Sequence, residues 1–364
     1  MPRQFSNLYP DICTFENLWK AFRYARRGKR HKLEVSMFEQ DLERHLFEIQ
    51  EALISHNFHF QGYRSFIITD PKERVISAAP FRDRVVHHAI CNVLAPLMDM
   101  ALLENVYACR TGKGTHLAIK KAVSLMKKHQ WVLKMDIKKY FYTIDHEILL
   151  TKLSNRFLDD QVMGLISKLL ATYHSDISYY FRFPQDNLFD AARPRGLPIG
   201  NLTSQWFANF YLNSIDRLIK QKLKLPGYVR YMDDFVLFAD SKEDLFHAQE
   251  EVKKALSLLR LQLNDKKTQI FPVKNGFPFF FFFLRQDRLR ILRNNLKSIK
   301  QRLRHQAKKM RRDQNLQHVT QSLQAWTGYY GRKQFQYIFD EILSKQSFYR
   351  DDLKQCFTFT LTYG

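Results

Sequence analysis

The sequence predicts an α+β fold, and three observations predict it. Apolar residues recur at helical spacing toward both ends of the chain, two strand-like apolar stretches lie in its middle, and carboxylates sit inside those stretches. At about 150 residues per domain, 364 residues allow two or three domains. A composition of 45% hydrophobic and 26% charged residues is ordinary for a chain with a buried core. The unusual quantity is charge: 58 Lys and Arg against 36 Asp and Glu leave +22. Such an excess attracts polyanions, and a phosphate backbone is the expected partner. A membrane partner is not expected. The longest apolar run, Phe279 to Leu284, is six residues, far below the ~20 that span a bilayer. Met1-Pro2-Arg3-Gln4 opens no apolar signal stretch, so a cytoplasmic location is expected.

In chain order, residues 14 to 57 read as helical, with Phe38, Leu42, Leu46 and Ile49 on one face. A mixed region follows to about residue 130. The first strand candidate is Trp131 to Ile137. The second, about ninety residues later, is Tyr228 to Tyr231, resumed after Asp233-Asp234 by Phe235 to Phe238. From about residue 289 helical spacing returns at Leu292, Leu296, Ile299 and Leu303. Residues 285 to 312 carry twelve Lys and Arg and one acid, Asp287. A solvated face accounts for some of that run, but its one-sidedness favours a helix facing nucleic acid. The cysteines, Cys13, Cys91, Cys109 and Cys356, are scattered and form no disulfide pattern. His87, His88 and Cys91 have the spacing to begin a zinc site, yet no second ligand pair follows. Burial on a helix is the expected state.

Asp233 and Asp234 lie between apolar strand segments, and Asp136 stands within another, the candidate Trp131 to Ile137. A turn explains one such acid, because Asp tolerates turn geometry. Acids at the end of a buried sheet are costly unless a cation neutralises them. Three carboxylates on neighbouring strands can hold two divalent cations about 4 Å apart for an in-line phosphoryl transfer. Mg²⁺ suits such a site, since it completes its shell with water and phosphate oxygens.

Tyr231-Met232-Asp233-Asp234 resembles the YxDD box of reverse transcriptases. Asp136-Ile137-Lys138-Lys139-Tyr140-Phe141, ending in Ile144-Asp145-His146, resembles the family's first aspartate motif. Gly196-Leu197-Pro198-Ile199-Gly200-Asn201-Leu202-Thr203-Ser204-Gln205 is similar to its substrate-binding motif. Arg74-Val75-Ile76 and Phe81 to His87 resemble the fingers motifs, Tyr107 to His116 the element that follows them, and Leu263 to Thr268 the lysine-bearing motif after the catalytic hairpin. The motifs run in family order from about residue 70 to 285. Ile199-Gly200 with Ser204-Gln205 further resembles the reverse transcriptases of diversity-generating retroelements. One departure stands out: no Gly follows the aromatic run Phe279 to Phe283, where the family usually carries Phe-Leu-Gly. That leaves room for the antiphage-defence reverse transcriptases.

The resemblance implies a right-hand polymerase: a helical N-terminal extension (1–60), fingers (61–130), a palm with part of the fingers (131–285) and a helical basic thumb (286–364). It implies an RNA-directed DNA polymerase using two Mg²⁺ held by Asp136, Asp233, Asp234 and the backbone carbonyl of Ile137. Lys267 is implied as proton donor to the leaving pyrophosphate. Lys72, Arg74 and Arg82 are implied as triphosphate contacts, since charge-assisted bonds suit phosphate oxygens. Phe141 falls where the family's steric gate meets the sugar 2′ position. Ile199, Gly200 and Gln205 are implied to line the nucleotide site. Ile in place of an amide removes hydrogen-bond donors near the incoming base, while core packing is the other reading of Ile199. The implied partners are a template RNA, a DNA primer, dNTPs, an associated noncoding RNA and a small accessory protein. After residue 285 about 80 residues remain, enough for a thumb around Trp326 and too few for a ribonuclease H domain of ordinary size. A non-catalytic RNA-binding scaffold is the competing class. A pure binder has no need of three acids facing a polyanion.

Overall fold

The computed structural model describes residues 3–69, 73–184, 186–298 and 301. Its helices are α1 (Tyr9–Cys13), α2 (Phe15–Ala25), α3 (Leu33–Gln40), α4 (Leu42–Ile54), α5 (Phe81–Asp99), α6 (Thr115–Met126), α7 (Tyr140–Thr143), α8 (His146–Ser154), α9 (Asp160–Ala171), α10 (Leu202–Tyr211), α11 (Asn213–Arg217) and α12 (Lys242–Leu258). Its strands are β1 (Arg64–Ile68), β2 (Arg74–Ala78), β3 (Trp131–Asp136), β4 (Gly227–Tyr231), β5 (Asp234–Ala239), β6 (Gln269–Pro272), β7 (Phe277–Phe279), β8 (Phe282–Leu284) and β9 (Leu289–Ile291). Helix and sheet are mixed, as an α+β reading requires. The described residues group into two compact units that divide between Gly276 and Phe277.

In the first unit α1, α2 and α3 pack against α5, and α4 packs on α1, α2 and α3. Thr14 caps α2 by accepting the Asn17 N–H, and Leu18, Ala21, Phe22 and Ala25 form its buried stripe. Asn17 joins the helices by donating to the Ala89 carbonyl at 3.1 Å. His87 and Cys91 are buried on α5, as their helical placement suggested. A four-stranded antiparallel sheet in the order β4-β5-β3-β6 forms the centre. The two strand candidates separated by about ninety residues are thus direct neighbours. α12 begins at the Ser241 cap and lays Leu245, Ala248, Val252 and Leu256 on the sheet. β1 and β2 form a separate antiparallel hairpin with β1 exposed along its length.

The second unit opens with the antiparallel strands β7, β8 and β9. Here the structure corrects the sequence. Helical spacing suggested a helix from about residue 289, but Leu289–Ile291 pair with Phe282–Leu284. The helix starts after Leu292, whose carbonyl accepts the Leu296 N–H at 3.0 Å. A three-residue strand is too short to impose its own period on a basic, leucine-rich run. The aromatic run turns back on itself at Phe280, at φ +56°, so that Phe279 faces Phe282. Ile299, Leu303, Trp326 and nearly all of the expected thumb lie outside the described residues. Among the described residues no helix is long and apolar enough to cross a membrane.

Candidate active site

β3 buries Leu133 and Met135 on one face and Val132 on the other, and ends in Asp136, which is 7% exposed. Strand register sets Asp136 directly opposite Asp234. On the other side of β5, Tyr231 pairs with Asp234, which reduces the hairpin loop to Met232 and Asp233. Two-residue loops favour a positive φ, and Met232 adopts +53°. The turn thereby delivers Asp233 to the same sheet end as the other two acids. Burial, then the neighbouring Asp234 and Asp136 charges, push the Asp233 carboxyl up to about 7. The three carboxylates converge enough to repel, and that field calls for a cation.

The segment after α12 supplies one. Lys267 Nζ lies 2.6 Å from Asp136 Oδ2, and Asn264 Nδ2 donates to Oδ1 at 3.3 Å. The Asn264 N–H also donates to the Asp136 carbonyl at 2.8 Å, and Lys138 N–H to the Gln262 carbonyl at 2.8 Å. Those two bonds flank the bridge between Ile137 and Leu263. In an antiparallel pair of this kind the bridged residue's own carbonyl turns away from the partner segment. Asn264 was not singled out from sequence. Its place three residues before Lys267, in the same motif, was the available signal. Among the described residues no group of three or more His, Cys, Asp or Glu side chains is closed into a ready-made metal cage. The donor set is nonetheless all oxygen and carries excess negative charge, which fits a hard divalent cation.

A second group of expected residues gathers where the β1–β2 hairpin meets the loop before α10. Arg74 opens β2 opposite Ile68 and is exposed. The Phe141 carbonyl takes the Leu197 N–H at 2.7 Å. The Ile199 carbonyl accepts the Ser77 N–H at 3.2 Å, so the Ile199–Gly200 loop docks on β2. Gly200 has φ +116°, and a Cβ there would stand 3.1 Å from Ile76 Cγ2. Phe141 and Ile199 are half-buried beside this loop's path. Gln205, in α10, accepts from the Cys109 thiol at 3.4 Å. Arg82 goes elsewhere: its guanidinium lies 4.1 Å over the Phe58 ring and donates to the His59 carbonyl at 3.1 Å. Lys72 lies outside the described residues.

Comparison with known proteins bears on this arrangement. Residues 69–293 match the family model described as reverse transcriptase (RNA-dependent DNA polymerase). Protein YkfC of Escherichia coli K12 is 26% identical over 286 residues, covering 67% of this chain and 72% of that protein. The group II intron-encoded protein LtrA of Lactococcus lactis subsp. cremoris is 21% identical over 340 residues, covering 73% of this chain and 54% of LtrA. The putative COX1/OXI3 intron 1 protein of Saccharomyces cerevisiae is 22% identical over 280 residues, covering 62% of this chain and 32% of that protein. The chain therefore spans little more than half the length of LtrA and a third of the yeast protein.

Proposed function

The chain belongs to the reverse transcriptase family of RNA-directed DNA polymerases, and on that premise we propose that it makes cDNA from a dedicated noncoding or template-repeat RNA, in the manner of the diversity-generating retroelement type. The reaction is attack of a primer 3′-hydroxyl on the α-phosphate of a dNTP, forming the new phosphodiester and releasing pyrophosphate. Two Mg²⁺, held by Asp136, Asp233, Asp234 and the Ile137 carbonyl, would stabilise the attacking and leaving oxygens when bound. The strand register supports that ligand set, since it sets Asp136 opposite Asp234 and puts Asp233 in the two-residue turn at the same sheet end.

The remaining roles belong to this chain's own groups. Lys267, held by Asp136, is poised to exchange that contact for the leaving pyrophosphate and give it a proton. Arg74 offers its exposed guanidinium to the triphosphate. Phe141 closes the sugar 2′ position against a hydroxyl. Template RNA, a DNA primer and dNTPs are the substrates, with a noncoding RNA and a small accessory protein as partners.

The observation that carries the subtype is the Ile199–Gly200 loop docked on β2. On this reading Ile199, an aliphatic side chain with no donor or acceptor, stands at the motif position where the resemblance expects an amide beside the incoming base. A site without that polar check rejects mispairs less strictly, because rejection is strongest when buried polar groups are left unpaired. The second reading, an antiphage-defence enzyme working with a noncoding RNA, is favoured by the aromatic run Phe279 to Phe283, which no Gly follows. The test is sequencing of cDNA from cells carrying the gene with its native flanking DNA, in wild type and Asp233→Asn. Substitutions concentrated at template adenines support diversification. Faithful cDNA that appears on phage infection supports defence, and cDNA of an intron RNA supports a role like that of an intron-encoded protein. Equal cDNA from both proteins refutes catalysis.

A further inference from the structure

Behind the catalytic hairpin lies a charged cluster that the chemistry above does not use. Arg230 of β4 and Asp216 of α11 are both 0% exposed. Arg230 Nε and Nη2 donate to the two Asp216 oxygens at 2.6 and 2.7 Å, and the Tyr228 hydroxyl donates to Asp216 Oδ1 at 2.5 Å. Arg230 Nη1 donates to Asn209 Oδ1 at 2.9 Å and to the Met232 carbonyl at 3.0 Å, and Nη2 to the Asn209 carbonyl at 3.1 Å. A guanidinium has five N–H groups, and all five find acceptors here. Asn209 is itself held, donating to the Ala108 carbonyl at 2.7 Å. The Arg230 backbone is clamped as well: its N–H donates to Asn105 and its carbonyl accepts from Tyr107, both at 2.9 Å.

Stability alone is a poor account of this cluster. Well-packed apolar residues of similar volume are often as stabilising as a buried ion pair, or more so. What an apolar pair cannot do is donate to the Met232 carbonyl. Met232 is the left-handed residue that aims Asp233, and its conformation persists only if its surroundings hold it. We propose that Arg230, oriented by Asp216 and Asn209, is a positioning residue that fixes the Met232–Asp233 turn and so sets where the Asp233 carboxylate stands. This rests on the polymerase reading above.

The test compares the full chain with Arg230→Met/Asp216→Leu, which removes both charges, and with Arg230→Lys. The lysine keeps a charge beside Asp216 but cannot reach Asp216, Asn209 and Met232 together. Three quantities are read: the thermal midpoint, single-nucleotide addition kinetics, and Mn²⁺ binding by electron paramagnetic resonance without nucleic acid. The double variant is expected to melt at or above wild type. Its kcat is expected to fall between about 10- and 100-fold, the scale of a misplaced reacting group, with the dNTP KM within about twofold. Mn²⁺ affinity is expected to drop about tenfold in both variants. A folded variant with wild-type kcat and Mn²⁺ affinity overturns the proposal. Loss of fold in both variants also overturns it, since the cluster would then be structural. A wild-type protein that binds Mn²⁺ yet makes no DNA sinks the polymerase reading instead, and the Mn²⁺ comparison still judges the positioning role.

Discussion

Replacing Gly200 by Ala probes the contact between the substrate loop and the β1–β2 hairpin. At φ +116° an L-residue is held in a sparsely populated backbone region, at a cost of about 1–3 kcal/mol. The added methyl meets Ile76 Cγ2 at 3.1 Å, which forces either the Ile76 side chain or the loop to give. Against this, Ala restricts the unfolded chain and returns about 0.5–1 kcal/mol. The net is about 2 kcal/mol of destabilisation, or about 4–8 °C in the thermal midpoint for a unit of this size. Gly164 supplies a control of opposite sign. It lies exposed inside α9 with nothing within 4 Å of an added Cβ. There Ala removes only the helix penalty of Gly and is expected to raise the midpoint by roughly 1–4 °C. Thermal unfolding by circular dichroism reads both. Single-nucleotide addition should show a raised dNTP KM for Gly200→Ala and none for Gly164→Ala. A Gly200→Ala protein melting within a degree of wild type, or both variants shifting the same way, would refute the argument.

Three further outcomes are expected. Phe141→Ala should lower discrimination of dNTP over rNTP about tenfold or more, measured as the ratio of kcat/KM values; an unchanged ratio removes Phe141 from the sugar site. Lys267→Gln should lower kcat about 100-fold with dNTP KM within about twofold in single-turnover assays, and a wild-type rate would leave the lysine as a counter-ion of Asp136 only. His87→Leu addresses pH. Burial, aided by the His88 and Arg84 charges, pushes the His87 imidazole down to about 3, and neither ring nitrogen has a hydrogen-bond partner among the described residues. The unfolded imidazole takes a proton near pH 6.5 while the folded one stays neutral, so wild type loses stability as pH falls through 6.5. His87→Leu should gain about 2 kcal/mol more over wild type at pH 5 than at pH 8, from 1.5 pH units below the unfolded pKa. Equal gains at both pH values in denaturant titrations would contradict a buried, neutral His87.

Much of the candidate site was readable along the chain because its acids violate the local pattern. Asp136 and the Asp233–Asp234 pair interrupt apolar stretches that otherwise belong inside a sheet, and flanking residues with strand character told where they would emerge. The N-terminal helices were readable for the same reason, since 3.6-residue spacing is a short-range property. The three residues of β9 were not, because a basic run with leucines at helical intervals outvotes so short a strand. Asp216 and Arg230 had no local signal either. Each reads singly as an ordinary surface charge, and they become a buried pair only once β4 lies against α11.

Residue chemistry and short-range spacing therefore carry the three acids, while resemblance of ordered motifs carries the family and the lysine-bearing motif. Which groups meet is a separate matter. That Lys267 and Asn264 hold Asp136, that Ile199 docks on Ser77, and that Asp216 and Asn209 orient Arg230 all depend on sheet register and helix packing. These contacts join residues far apart in sequence, and a one-residue slip in register would send each side chain to the opposite face. Local sequence cannot encode such pairings, because the free energy that selects one register is gained only when the whole core closes.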